Sequence, residues 1–312
     1  MKNLAQLINT FGKFYYSTAL KQYVKVTRIE SWLGWIFSFS FGCVFLGLPS
    51  IWRMISISFA FLFATASVFV LNQFFDREDD KENVIKSDLL VASGKMAPRT
   101  ALVFSFSLIA FCLVLVISAD VNLVPLFLIY LAFWTAYSAP PFRLKAVPIV
   151  DFIISGIGAG LLPFLIGASI SRPLANNLLV ILLSAIPLIL AHCSGHILQA
   201  LGDYEADRKA GIQTFVVKYG RKKGAVLMGL LSLATGVFPF IYAGFGLLSL
   251  SYIPLIFIPL SFCIPIARRY INVLGDPTTE NVVTLHKAVR KYGILIMLVV
   301  GIYVLAGKIL AF

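Results

Sequence analysis

Nine stretches of this 312-residue chain are apolar for long enough to cross a bilayer as helix, and they follow one another from end to end. Spanning hydrocarbon takes roughly 17 to 25 residues of helix, and the stretches cover 32–48, 53–75, 100–118, 121–138, 147–170, 178–199, 224–243, 247–267 and 292–312. Each run is continuous rather than alternating, which excludes a transmembrane barrel and leaves helices as the way to satisfy the backbone in lipid. With 59% hydrophobic and 13% charged residues, a water-soluble globule is excluded as well. The expected fold is all-α, a single polytopic membrane bundle of about nine helices over 32–312, preceded by a charged segment over 1–31. In that segment Leu4, Leu7, Ile8, Phe11, Phe14 and Tyr15 fall near helical spacing, which predicts an amphipathic helix lying on the membrane surface rather than a cleavable signal.

The net charge of +12 could point to nucleic acid, but the position of the charges points elsewhere. Of 26 basic residues, 23 fall in the amino-terminal segment and in the loops after the second, fourth, sixth and eighth runs. These segments share one face of the membrane if nine helices alternate, and the opposite face keeps only Arg53, Arg172 and Lys308. The positive-inside rule then places the amino terminus and the charged loops in the cytoplasm, and the carboxyl terminus across the membrane. Cys43, Cys112, Cys193 and Cys263 lie in apolar runs at no metal-ligand spacing and read as packing residues. Gly156, Gly158 and Gly160 sit in an apolar run and read as points of close helix packing, not as a nucleotide fingerprint.

Nine of the 14 acidic residues gather in two places, both on the cytoplasmic side. In "LNQFFDREDDKENVIKSD", Asn72, Asp76 and Asp80 recur every four residues and so climb one face of a helix, with Asp79 close to that face. In "HILQALGDYEADRKAG", Gln199, Asp203 and Asp207 repeat the spacing, with His196 one turn earlier. Both ladders begin with an amide inside an apolar run, where polar groups are costly and usually functional. Carboxylate and amide oxygens suit a hard cation such as Mg2+, which shares its coordination with substrate phosphates. A diphosphate on an apolar tail, such as an isoprenoid diphosphate, satisfies both the oxygen ladders and the apolar bundle. Glu78, Glu82 and Asp88 belong to the solvated loop.

At these residues the chain resembles the UbiA-type family of intramembrane prenyltransferases. Asn72-x-x-x-Asp76-x-x-x-Asp80 is similar to the family's first aspartate-rich motif and Asp203-x-x-x-Asp207 to its second. "YSAPPFRLK", residues 137–145, resembles its tyrosine and basic stretch, and "DRKAGIQTFVVKYG" the segment after the second motif. The resemblance implies a helical bundle around a central cavity, with two Mg2+ ions held by Asn72, Asp76, Asp79, Asp80, Asp203 and Asp207 and bridged to a prenyl diphosphate. It implies diphosphate contacts from Arg77, Arg143 and Lys145, a place for Tyr137 facing the carbocation or leaving group, and a lipophilic acceptor. His196, Gln199 and Asp151 are the candidates for acceptor binding, with His196 positioning or deprotonating an acceptor hydroxyl, or Asp151 serving instead as the base or as a third carboxylate. The chain departs from the family at Gln73, where many members have Asp, and at Leu89–Gly94, where members often read Arg-Pro-x-x-Ser-Gly. Lys86 or Lys95 is the candidate replacement for the lost charge.

The acceptor could be an aromatic quinone-type precursor, an ether-lipid precursor or a polyene, or the cation could be quenched internally to a cyclised terpene. A transporter of Mg2+ or anionic lipid is the reading from another class. It is disfavoured because four spans separate the ladders, which preserves helix direction and puts both on one side.

Overall fold

A computed structural model describes residues 18–46, 49–83, 86–171, 178–244 and 253–309. The expected surface helix over residues 4–15 lies outside these. Twelve α-helices are described: α1 (Thr18–Val26), α2 (Leu33–Phe45), α3 (Ile51–Glu82), α4 (Pro98–Ala119), α5 (Val124–Ser138), α6 (Val150–Ser155), α7 (Leu162–Ser171), α8 (Leu178–Lys209), α9 (Phe215–Tyr219), α10 (Arg221–Gly244), α11 (Ile253–Gly275) and α12 (Thr279–Ile309). A π-helical turn, Gly156–Leu161, joins α6 to α7 into one apolar rod. Among the described residues seven helical segments are long and apolar enough to cross a membrane, and none is a strand. The counterpart of the first expected run is α2, 13 residues long, and that of the last is α12, which starts well before residue 292.

Helix boundaries follow local chemistry. Pro98 opens α4 at a position where a missing N–H costs nothing, and the Thr214 hydroxyl accepts the Val217 N–H at 3.2 Å to start α9. Where the start of α3 meets the end of α4, Arg53 pairs with Asp120 and donates to the Ser169 carbonyl at 3.3 Å. This ties α3, the α4–α5 turn and α7 together.

Small residues let the rods approach. A Cβ at Gly42 of α2 would land on the Phe164 carbonyl of α7, and one at Gly167 of α7 on the Phe39 carbonyl of α2, so the two backbones cross in direct contact. Gly156 and Gly160 receive α8 at Ile189, Leu188 and Cys193, and Gly158 receives the Trp134 ring of α5. The largest buried cluster, around Phe61, Phe127, Tyr130 and Ile166, holds α2 to α5 and α7 as one half of the bundle. A second, around Ile197, Leu201, Val216, Met228 and Leu285, holds α8 to α10, α11 and α12. Cys43, Cys112 and Cys193 are buried in this packing, but Cys263 is exposed and borders the cavity between the halves. Its helix, α11, opens part of one face toward that cavity, so an apolar run did not translate into burial there.

Candidate active site

A cavity of about 1850 Å³ runs between the two halves, well above the range of roughly 300 to 1,000 Å³ usual for small-ligand pockets. Its mouth is built by the carboxyl-terminal ends of α3 and α8. Asn72, Asp76, Asp79 and Asp80 of α3 face Gln199, Asp203 and Asp207 of α8 across it, and Tyr137, Lys145 and His196 line it too. The four-residue spacing accounts for this, since each ladder keeps to one face of a long helix. Gln73 turns the other way and is buried, donating to the Val26 carbonyl at 2.6 Å.

Every ladder has a cation against it. Lys145 pairs with Asp76, and Arg143 with Asp79. Lys86 donates to Asp203 at 2.8 Å, beside Asn83, whose amide reaches the other oxygen of Asp203 at 3.4 Å. Asn72 donates to Asp76 at 2.6 Å and to the Ser138 hydroxyl at 3.0 Å, which fixes the first rung. Arg143 takes a left-handed backbone conformation, φ 39°, that a non-glycine residue adopts at some cost. Burial works against the charge on Lys86, but Asp203, and behind it Asp80 and Asp207, outweigh it and hold its ammonium above the usual lysine range.

Not every expected contact is brought to the cavity. Arg77 lies outside the lining, its guanidinium donating to the Phe74 carbonyl at 2.8 Å and pairing with Glu78 at 3.3 Å. It sits one residue past Asp76, about 100° around the helix, and so faces the flank. Asp151 is fully buried and stands behind His196 instead of at the cavity wall. Of the two lysines that could supply the missing loop charge, Lys86 lines the cavity, while Lys95 pairs with the exposed Asp88 at 3.5 Å.

Above the mouth the wall becomes apolar and aromatic. Trp35 and Trp134 stack at 4.3 Å, and Tyr137 meets Trp134 edge-on at 5.1 Å. Farther in come Phe41 and Phe45 of α2, Leu188 and Val180 of α8 and Met297 of α12. Polar groups punctuate this wall, among them Ser38 and His192, which lie 3.1 Å apart. Sequence reading passed over Trp35, Trp134, Asn83 and Ser138. Trp134 and Ser138 carry a findable signal, since they stand one turn apart on the helix that carries Tyr137.

The donor set suits a hard divalent cation, being all carboxylate and amide oxygen. Among the described residues no three His, Cys, Asp or Glu side chains form a ready-made metal cage.

Residues 33–283 match the profile of the UbiA prenyltransferase family. The chain is 32% identical over 174 residues to 2-acylphloroglucinol 4-prenyltransferase, chloroplastic, of Humulus lupulus, covering 52% of this chain and 41% of that one. It is 24% identical over 232 residues to digeranylgeranylglyceryl phosphate synthase of Pyrococcus horikoshii, covering 74% and 78%. For the hop relatives and a lycopene elongase/hydratase of Halobacterium salinarum, the match spans about half of their length or less. Among solved structures, a UbiA homolog from Archaeoglobus fulgidus bound to GPP and Mg2+ superposes with a TM-score of 0.66 at 21% identity, covering 86% of this chain and 99% of that one, and so shares its fold. With the family profile running through both ladders and the helices between them, this chain belongs to the UbiA prenyltransferase family.

Proposed function

We propose that the chain is a Mg2+-dependent prenyltransferase that moves an isoprenyl group from its diphosphate to a lipophilic acceptor. The observation that carries the reading is the division of one cavity into an oxygen-and-cation mouth and a deep aromatic and apolar body. A diphosphate belongs at the mouth and its hydrocarbon tail in the body. The relatives named as prenyltransferase and prenyl-lipid synthase, and the homolog bound to GPP and Mg2+, support it.

Asn72, Asp76, Asp79 and Asp80 would hold one ion and Asp203 with Asp207 a second. The chemistry these ions supply, when bound, is neutralisation of the charge that builds on the departing diphosphate. Lys86, Lys145 and Arg143 are within side-chain reach of the same space, so they can pass from carboxylate to phosphate oxygens, Arg by its fork and Lys as a point charge. Trp35, Trp134 and Tyr137 line the cavity and put aromatic side chains beside an allylic cation, and the apolar walls keep water from it. Charge distribution supports a cytoplasmic mouth and amino terminus, with the carboxyl terminus across the membrane.

The test is diphosphate release from geranylgeranyl diphosphate by the purified protein, with Mg2+ or with EDTA. Release should require Mg2+ and fall by at least about 100-fold in Asp76→Ala and Asp203→Ala, the scale of losing a principal electrostatic stabiliser. Full activity in EDTA or in either variant would overturn the reading.

A further inference from the structure

Behind the cavity wall a carboxylate and an imidazole stand in line. His196 of α8 borders the cavity, and its Nε2 lies 3.8 Å from Oδ2 of Asp151. Asp151 is fully buried at the start of α6, and its Oδ2 accepts the Phe215 N–H from α9 at 2.8 Å. Tyr137 of α5 meets the imidazole edge-on, with ring centroids 6.3 Å apart. Asp151 Oδ1 and His196 Nε2 are both buried without a hydrogen-bond partner in the structure. The order is therefore carboxylate, imidazole, cavity.

Buried polar atoms left open are rare in folded proteins, and they mark sites where something beyond packing is at work. A carboxylate placed behind an imidazole sets its tautomer and steadies the positive charge it gains on taking a proton. The same order decides between the two candidate bases, because only His196 reaches the space where an acceptor can sit. Nothing in tail binding or metal binding uses this pair.

We propose, building on the prenyl transfer above, that His196 is the catalytic residue that takes the proton from a hydroxyl-bearing acceptor, with Asp151 as its positioning residue. The carbon–oxygen bond of the allylic diphosphate breaks and its electron pair leaves with the diphosphate. The acceptor oxygen gives a lone pair to the allylic carbon, forming the new carbon–oxygen bond. Its proton passes to the imidazole: with Nε2 carrying its hydrogen toward Asp151, Nδ1 holds the accepting lone pair. The imidazolium faces the Asp151 carboxylate until the proton returns to solvent through the mouth. Asp151 and Tyr137 are the titratable groups facing the ring from α6 and α5; Asp76, Asp203, His286 and Arg290 border the same cavity farther along it.

The experiment supplies geranylgeranyl diphosphate, Mg2+ and lipid extract from the producing membranes to the full chain in lipid discs. Mass spectrometry then gives the ratio of free prenyl alcohol to prenylated acceptor, which does not depend on how much of a variant folds. The expected wild-type product is an ether or another oxygen-prenylated compound. His196→Gln should raise the ratio by about 100-fold or more, the usual scale of general-base assistance. Asp151→Asn, which can still accept the Phe215 N–H, should raise it less, and added imidazole should lower it in His196→Ala. An unchanged ratio in His196→Gln, a product joined through carbon, or diphosphate release with no acceptor product at all would each overturn the proposal. Loss of Mg2+-dependent diphosphate release in the wild type would instead overturn the prenyltransferase reading itself.

Discussion

At the residue scale, the site is a set of cations already seated on carboxylates. Lys145 is only 13% exposed and pairs with an Asp76 that is 7% exposed, so this pair is shielded from the water that weakens surface ion pairs. Replacing Lys145 by Ala should raise the KM for prenyl diphosphate by roughly 10- to 100-fold, the worth of one charge-assisted hydrogen bond. Arg77→Ala should change it by no more than about twofold, as for a surface substitution, because its guanidinium faces Phe74 and Glu78. Steady-state kinetics of both variants would check this, and a large effect at Arg77 would mean that the loop rearranges to bring it in. The ladder faces were readable from spacing alone, because position along a helix fixes direction. Which cation meets which acid was not, since Lys86, Arg143 and Lys145 come from loops whose approach depends on the whole bundle. For the same reason Asp151 and His196 were readable as candidates but not in their order.

At the scale of elements, the helices meet where side chains are missing. Gly42 and Gly167 face each other's neighbouring carbonyls across the α2–α7 crossing, with backbone atoms that cannot turn aside. Gly42→Ala and Gly167→Ala should each destabilise the bundle by about 1 to 3 kcal/mol or more, the range for overpacking. Gly195→Ala, in the interior of α8 with nothing within 4 Å of the added carbon, should be neutral or stabilising by up to about 1 kcal/mol. Thermal unfolding in detergent would separate the two groups. The apolar runs announced helices at these places, but the π-helical turn at Gly156–Leu161 left no periodic trace. Helix ends were readable at the ladders: α3 and α8 run past the apolar stretches that end at 75 and 199 and carry the acidic rungs, as the four-residue spacing requires.

At the scale of the whole molecule, α3 and the described part of α8 each run for 32 residues, about 48 Å of helix against a hydrocarbon layer of about 30 Å. Counted from their first residues, roughly 20 residues fill that layer, which brings α3 to Val70 and α8 to Ile197, just short of Asn72 and Gln199. Asp76 and Asp203 then ride about 9 Å above the lipid tails, and Asp80 and Asp207 about 15 Å. On that count the two rods would act as a height gauge, setting the mouth at the headgroup level whatever the acceptor. Bilayer thickness becomes a control on rate: turnover should peak in vesicles of matching acyl length and fall in both thinner and thicker ones, as the rods tilt or the membrane deforms to meet them. A rate indifferent to acyl length would mean that the gauge floats. If it holds, the membrane is a ruler against which the substrate's head and tail are sorted, and a change in lipid composition can slow this chain without touching a single one of its residues.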